Sequence, residues 1–377
     1  MHIGLFLTYG NSLDLWRAAG ILDREMAIYD EHAKRHCELT IVTYGGHADT
    51  QFENSYQYLK IAANRWTLPT RIYSQLGPYF WTKPLSEVDV IKTNQMYGAH
   101  VAASVAKKLK KPLYIRQGYS FFESEQKKWG ADSRQAKVAQ TYEKRMALEA
   151  DWLTLPSEHL VAEFSRRNPA AGQKISTLPN YVVERAWNPV FNSPPRDGPF
   201  KIGYLGKFTE QKNLVTLIEA CADLNVELHL IGSGPLEDQL NVTAKKTDVC
   251  VSFHGRLHQH RAREVLRRCH CFILPSNYEG QPKALIEAMA FGMPVIGTNI
   301  KGIAEIIEDN KTGVLVEKSR ASIRSGIKRV VETPTKELER LGQNARSYVI
   351  QRHGLKRVAE QDFNILLRLR GAGSFGA

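Results

Sequence analysis

Short apolar runs alternate with helical stretches along the first half of the chain. The runs fall at His2–Thr8, Glu38–Tyr44, Val88–Thr93, Pro112–Gln117, Trp152–Leu155 and Ile175–Leu178. Between them, helical periodicity covers Leu13–Lys34 and Gly98–Lys110. Continuously apolar strands separated by helices predict a parallel sheet covered on both faces. This is a doubly wound, Rossmann-like domain over residues 1–184. The texture changes after Arg185. Ser193-Pro-Pro-Arg-Asp-Gly-Pro199 packs prolines and a glycine into a few residues, so 185–199 reads as a linker. The alternation then restarts over 200–354. Strands are expected at 201–206, Glu227–Ile231, Val249–Phe253, Phe272–Leu274, Val295–Gly297 and Gly313–Val316. Helices are expected at Leu214–Asp223, Arg261–Cys269 and Lys283–Phe291, with long ones at Pro334–Gln351 and Leu355–Leu369. The last of these, about 355–371, is expected to pack back on the N-terminal domain. The glycine-rich end, residues 371–377, reads as a frayed tail. Ligands of doubly wound sheets bind beyond the carboxyl ends of the strands. Two such domains are therefore expected to face one another across a central cleft.

Composition agrees with this and narrows the class. At 377 residues the chain is long enough for two cores, and 43% hydrophobic with 24% charged residues is ordinary for a globular protein. The formal charge of +12 is divided almost evenly, +5 over residues 1–200 and +7 over 201–377. The spread charge and the missing module signature exclude nucleic-acid binding. The one dense basic stretch is Lys107, Lys108, Lys110 and Lys111 at a predicted helix end, where cations offset the dipole or meet an anionic membrane surface. The start, MHIGLFLTYG, lacks a basic n-region and reads as a first strand, which with the absence of long apolar stretches points to the cytoplasm. Cys37, Cys221, Cys250, Cys269 and Cys271 read as buried thiols of a reducing compartment. Cys269-His270-Cys271, with His258 and His260 near, has the wrong spacing for zinc, so no metal is expected. The sequence sets no oligomeric state.

The chemistry concentrates in Pro275–Pro294 and Gly203–Asn213. In the first segment a strand runs into a loop with Glu279 and Gly280, and Pro282 opens a helix. That helix is apolar nearly all round, which marks it as buried. Glu287 therefore sits in or near the interior, where a carboxylate needs donors. Sugar hydroxyls would serve, and so would a neighbouring Lys or Arg. The helix start offers free N–H groups and a positive dipole end to an anion. In the second segment Lys207 and Lys212 follow a strand and precede a helix, an arrangement suited to a diphosphate. Neither a Walker loop nor a dinucleotide fingerprint is present, because position 237 after Gly232-Ser-Gly234 is Glu.

Taken together these segments resemble the retaining nucleotide-sugar glycosyltransferases of family 4, which have the GT-B architecture. The resemblance rests on Glu279-GQPKALI-Glu287-AMAFGMPVI, supported in order by GYLGKFTEQKN, LIGSGP, FHGRL, GIAEII and NKTGVLV. It covers nearly all of residues 175–350. The resemblance implies a UDP- or GDP-sugar donor and a glycan or lipid-linked acceptor, in cell-envelope polysaccharide, lipopolysaccharide or glycolipid synthesis. It places Glu279 on donor-sugar hydroxyls and Glu287 on the ribose. Lys212 matches the phosphate lysine, and Lys207 stands where arginine is usual, keeping the charge but losing the fork. Phe253, Gly255 and Arg256 would line the base pocket. The backbone of Gly280, Gln281, Lys283, Ala284 and Leu285 would hold phosphate and sugar, and Gly10 would add an N–H from the first domain. Many relatives carry a histidine after one N-terminal strand; here Asn94, Gln95, Arg116 and Gln117 occupy the candidate places.

The implied reaction breaks an anomeric carbon–diphosphate bond, and fixed positive groups at the departing anion lower its barrier. Same-face attack needs no protein nucleophile. The sequence holds no Asp-x-Asp pair, so a metal-independent enzyme without cofactor is expected. A nucleotide-sugar epimerase and a catalytically dead binding module are the alternatives, and the retained Glu279, Glu287, Lys207 and Lys212 speak against both.

Overall fold

The computed structural model describes residues 1–373. The chain forms two compact units. One is Met1–Asn180 together with the chain from Lys356 onward, and the other is Tyr181–Leu355.

The first unit is built on seven parallel strands, β1 (His2–Phe6), β2 (Glu38–Val42), β3 (Leu59–Ala62), β4 (Val90–Thr93), β5 (Leu113–Arg116), β6 (Trp152–Leu155) and β7 (Ile175–Thr177). Their spatial order is β3-β2-β1-β4-β5-β6-β7. Pairing of Ile3 with Leu39 on one side and Val90 on the other makes β1 central. Leu5, Ile41, Ile91 and Ile115 are wholly buried, as a sheet covered on both faces requires. The pattern left out β3, a short edge strand in which exposed Lys60 separates inward-facing Leu59 and Ile61. The helix expected over Leu13–Lys34 is two, Leu13–Ala18 and Leu22–Ala33. A further helix, Thr70–Phe80, lay outside the pattern reading because Ile72, Leu76 and Tyr79 on it are exposed.

The C-terminal helix, Leu355–Gly373, seals this unit. It continues two residues past the expected start of fraying, and the rest of that tail, 374–377, lies outside the described residues. Asp362 is fully buried on it and accepts hydrogen bonds from His32 Nε2 and Tyr114 Oη, each at 2.8 Å. It also pairs with the equally buried Lys92 of β4. Burial alone would raise the Asp362 pKa. The Lys92 charge and the hydrogen bonds of His32 and Lys92 outweigh it and hold the carboxyl well below its usual range.

The second unit has six parallel strands, β8 (Phe200–Leu205), β9 (Val226–Ile231), β10 (Cys250–Phe253), β11 (Cys271–Leu274), β12 (Val295–Thr298) and β13 (Val314–Val316), in the order β10-β9-β8-β11-β12-β13. The segment 185–199 is not the free linker its prolines suggested. Trp187 and Phe191 are buried in this unit's core, with their rings 5.6 and 5.5 Å from Phe291. Arg263 Nη1 ties the same segment down through the carbonyls of Ala186 and Asn188, at 2.6 and 2.7 Å. Aromatic anchoring overrides the flexible composition, since each large apolar side chain fully buried is worth about 1.5–3 kcal/mol.

Four cysteines are buried, but Cys250 is exposed, contrary to expectation. Burial pushes the Cys221 and Cys269 thiols up to about 12. His270 stacks on Phe200 with centroids 4.6 Å apart, and its Nδ1 accepts from the Lys201 N–H at 2.8 Å. Among the described residues no group of three or more His, Cys, Asp or Glu is placed to hold a metal. Among the same residues no helix is long and apolar enough to cross a membrane.

Candidate functional site

In the second unit the residues singled out by chemistry converge at the carboxyl ends of β8 and β11. The loop after β8 carries Lys207, exposed, and ends in a single turn, Glu210–Lys212. The loop after β11 carries Ser276, Asn277, Tyr278, Glu279 and Gly280. Backbone and side chains zip the two loops together. The Asn277 N–H donates to the Gln211 carbonyl at 2.8 Å, and Asn277 Nδ2 to the Glu210 carbonyl at 2.9 Å. Gln211 Nε2 returns a bond to the Tyr278 carbonyl at 2.9 Å.

Glu279 is the centre of this arrangement. Its side chain is 7% exposed and forms an ion pair with Lys212, itself 16% exposed. Ser276 Oγ donates to Glu279 Oε1 at 2.7 Å and Gln211 Nε2 to Oε2 at 3.3 Å. Thr298 Oγ1 holds the base of the loop through the Ser276 carbonyl at 2.6 Å. Burial, and secondarily the Glu279 charge, push the neighbouring Tyr204 hydroxyl far above its usual pKa. The Tyr204 hydroxyl donates to the Lys207 carbonyl at 3.0 Å, fixing the start of the lysine loop.

The loop is braced from the far side as well. A Cβ on Gly302 would lie 2.4 Å from the carbonyl oxygens of both Glu279 and Gly280. Only glycine lets the short helix Lys301–Ala304 approach that backbone so closely.

The helix Lys283–Phe291 follows directly. Pro282 is its N-cap and makes no side-chain cap bond, and Lys283, Ala284 and Leu285 form its first turn. Leu285 is wholly buried and Gln281, Lys283 and Ala284 are half-buried, so Leu285 can offer only backbone. Glu287 lies one turn further on, 6% exposed. The loops after β9 and β10 complete the rim. The Gly232 N–H donates to the Gly255 carbonyl at 2.8 Å, Arg256 Nε donates to Ser233 Oγ at 2.8 Å, and the Phe253 ring packs edge-on against Phe208 at 6.2 Å.

The candidates in the first unit are placed less simply. Gly10 is exposed in the loop after β1. Asn94 is buried beyond the end of β4, where its N–H donates to the Phe6 carbonyl at 2.9 Å. Gln95 Oε1 accepts from the Gly118 N–H at 2.7 Å. Arg116 is buried, with Nη2 on Asn180 Oδ1 at 3.2 Å. Gln117 is 1% exposed and its Nε2 donates to Glu143 Oε1 at 2.7 Å. Arg116 and Gln117 each bond within the protein's own framework. Glu143 was not anticipated. It also accepts from Ser120 Oγ at 3.2 Å and the Phe122 N–H at 2.9 Å, fixing the loop after β5. An acid inside the helix Arg134–Glu149 carries no sequence signal for that role. Ser276 and Gln211 were missed too, although their position beside Glu279 and Lys212 was signal enough.

Two parallel-sheet α/β units define the GT-B glycosyltransferase architecture, and comparison with solved structures agrees. The fold matches a sucrose-phosphate synthase from Thermosynechococcus elongatus with a TM-score of 0.78 at 18% identity, over 99% of this chain and 100% of that one. It matches Anabaena HepE, solved with UDP and glucose, with a TM-score of 0.74 at 16% identity, over 98% and 100%. Residues 187–348 match the family described as glycosyl transferases group 1. The chain is 36% identical over 153 residues to the amylovoran biosynthesis glycosyltransferase AmsK of Erwinia amylovora, which is 36% of this chain and 38% of that protein. The matched stretches span less than half the length of such curated relatives, 38 to 44%.

Proposed function

We propose that the protein is a retaining glycosyltransferase that moves a sugar from a UDP- or GDP-sugar to a glycan or lipid-linked acceptor in envelope polysaccharide synthesis. The observation that carries this is the contact of Lys212 with Glu279 near the start of the helix Lys283–Phe291. A cation and a carboxylate side by side match the two adjacent parts of a nucleotide sugar. The diphosphate needs positive groups, and the sugar offers hydroxyl donors.

In this reading Lys207, Lys212 and the N–H groups of Lys283 to Leu285 stabilise charge on the departing diphosphate. Glu279 orients the sugar, and Glu287 takes the ribose hydroxyls. Phe253, Gly255 and Arg256 border the base, with Gly280 and Gln281 bringing backbone to the ligand. The bond from the anomeric carbon to the diphosphate oxygen breaks as the acceptor oxygen bonds on the same face. The acceptor's proton passes to the released diphosphate, so the step balances without a protein nucleophile or a metal.

We also propose a peripheral site of action on the cytoplasmic face of a membrane. Lys107, Lys108 and Lys110 are exposed and Lys111 half-buried at the end of the helix Ala99–Leu109. The structure adds an apolar partner surface. Lys108 Nζ donates to the Pro78 carbonyl at 2.9 Å and lies 4.4 Å over the Tyr79 ring. It thereby joins the lysines to the exposed stripe Ile72, Leu76 and Tyr79. Residues 54–86 contain four basic and no acidic side chains. Apolar insertion ringed by cations is the chemistry of an anionic lipid surface.

The test uses the full chain with a screen of UDP-, GDP- and ADP-sugars. Glu279→Ala is expected to abolish transfer while the fold survives at a lowered unfolding midpoint, and EDTA is expected to leave wild-type transfer unchanged. Full activity of the variant refutes the site, and strict dependence on Mn²⁺ refutes the metal-free step.

A further inference from the structure

Four neighbouring strands of the first unit, β2, β1, β4 and β5, are each followed within four residues by a tyrosine. These are Tyr44, Tyr9, Tyr97 and Tyr119. The rings of Tyr44, Tyr9 and Tyr97 form a continuous path, and Tyr119 stands in the next loop. Tyr9 lies 5.2 Å from Tyr44 and 5.8 Å from Tyr97, and Tyr97 lies 5.6 Å from Phe121, which opens the helix Phe121–Trp129 two residues after Tyr119. Exposure rises along it. Tyr44 is buried at 9%, Tyr9 is half-buried, and Tyr97 and Tyr119 stand 44% and 46% exposed.

The path is rigid. The Tyr44 N–H donates to the Asn11 carbonyl at 3.1 Å, and the Tyr9 N–H to the Tyr97 carbonyl at 3.3 Å. The Gly118 N–H donates to Gln95 Oε1 at 2.7 Å. Each loop is therefore bonded to the next. Tyr142 Oη clamps the base, donating to the Met96 carbonyl at 3.0 Å and accepting from the His100 N–H at 3.2 Å. Gly98, with φ at +95°, lets the two central loops meet, since a Cβ there would stand 2.8 Å from Tyr9 Cβ.

The place is informative in itself. Strand order reverses between β1 and β4, and the crevice at such a reversal, beyond the carboxyl ends, is where doubly wound sheets take ligands. Tyr9 and Tyr97 flank that point. Rings held rigidly in water at such a place are not core. The Asn11 carbonyl, Gln95 Oε1 and the His100 ring lie among them. Apolar faces with interleaved donors and acceptors match a pyranose, which has a C–H face and a rim of hydroxyls.

We propose that Tyr97 and Tyr119 are the stacking platform for a pyranose ring of the acceptor, which makes the acceptor a glycan. This rests on the glycosyltransferase reading above, and it settles the acceptor in favour of sugar over a bare lipid or polyol headgroup.

Saturation-transfer NMR on the full chain, with maltohexaose, cellohexaose and galactohexaose as probes, tests it. At least one probe is expected to receive saturation mainly on its ring C–H protons. Tyr97→Ala/Tyr119→Ala is expected to weaken that binding at least tenfold. Tyr97→Phe/Tyr119→Phe is expected to stay within threefold, because stacking needs the ring and not the hydroxyl. Both side chains are exposed, so all variants should share the wild-type unfolding midpoint. Unchanged affinity in the double Ala variant, or no saturation of any probe, overturns the platform. A UDP and GDP thermal shift on the same samples separates the two ideas. A nucleotide shift without oligosaccharide binding overturns the platform and leaves the donor reading standing. Oligosaccharide binding without a nucleotide shift does the reverse.

Discussion

Replacing Asp362 by Ala should destabilise the first unit more than any comparable surface change. The carboxylate is completely buried, and three donors converge on it from His32, Lys92 and Tyr114. Lys92 is 1% exposed. Burial works against its ammonium, and Asp362 is what opposes that effect. Without the carboxylate, an uncompensated charge remains in the interior, which costs about 3–5 kcal/mol. Domains typically unfold with about 5–15 kcal/mol in total. At about 2–4 °C per kcal/mol for a unit of this size, the melting transition should drop by about 6–20 °C. Calorimetry, with limited proteolysis to detect release of the C-terminal helix, measures both effects. The paired change Lys92→Met/Asp362→Leu removes both charges and should recover most of the loss, since a buried pair can be exchanged for apolar packing at little cost. The pH arm has a definite sign. A carboxyl whose folded pKa lies below its unfolded value gives stability that is present above the unfolded value, near 3.8, and is lost as pH falls below it. The wild-type first unit should therefore lose a component of stability below about pH 4 that the double variant lacks. A loss under about 1 kcal/mol in Asp362→Ala would refute this account.

Two further outcomes follow from the site. Gly302→Ala forces a methyl group against the Glu279 and Gly280 carbonyls. The overpacking costs about 1–3 kcal/mol and should appear mainly as a raised KM for the sugar donor, so an unchanged KM counts against the bracing role. Replacing Lys107, Lys108, Lys110 and Lys111 together by Ala should abolish sedimentation with anionic vesicles, at about 1 kcal/mol per cation, and Ile72→Ser/Leu76→Ser should weaken it. Binding that survives both changes assigns these lysines to a solvated helix end.

Much of the second unit was legible in the chain because its signals are local. Strand β11, the Glu279 loop and the helix Lys283–Phe291 follow one another without a break, and the apolar helix announced its own burial. The partnership of Lys212 with Glu279 was less visible, since 67 positions separate them. What escaped altogether depends on tertiary context. Asp362 lies in an amphipathic helix and looks like any solvated acid. Gln117 is a candidate because it stands where many relatives carry a histidine, and its bond to Glu143 from a distant helix had no signal in the sequence. The prolines of 185–199 signalled a linker, and the burial of Trp187 and Phe191 reversed that reading.

The return of the last helix to the first unit has a consequence for the order of folding. During synthesis, β4 and Lys92 leave the ribosome long before Asp362, which is 270 residues later. At about 5–20 residues per second, that interval is on the order of 10–50 s. Through that time the first sheet exists without the carboxylate that its buried lysine requires. The second unit, lying wholly in between, is complete before that partner arrives. The second unit is therefore able to close first, and the earlier-made unit to close last.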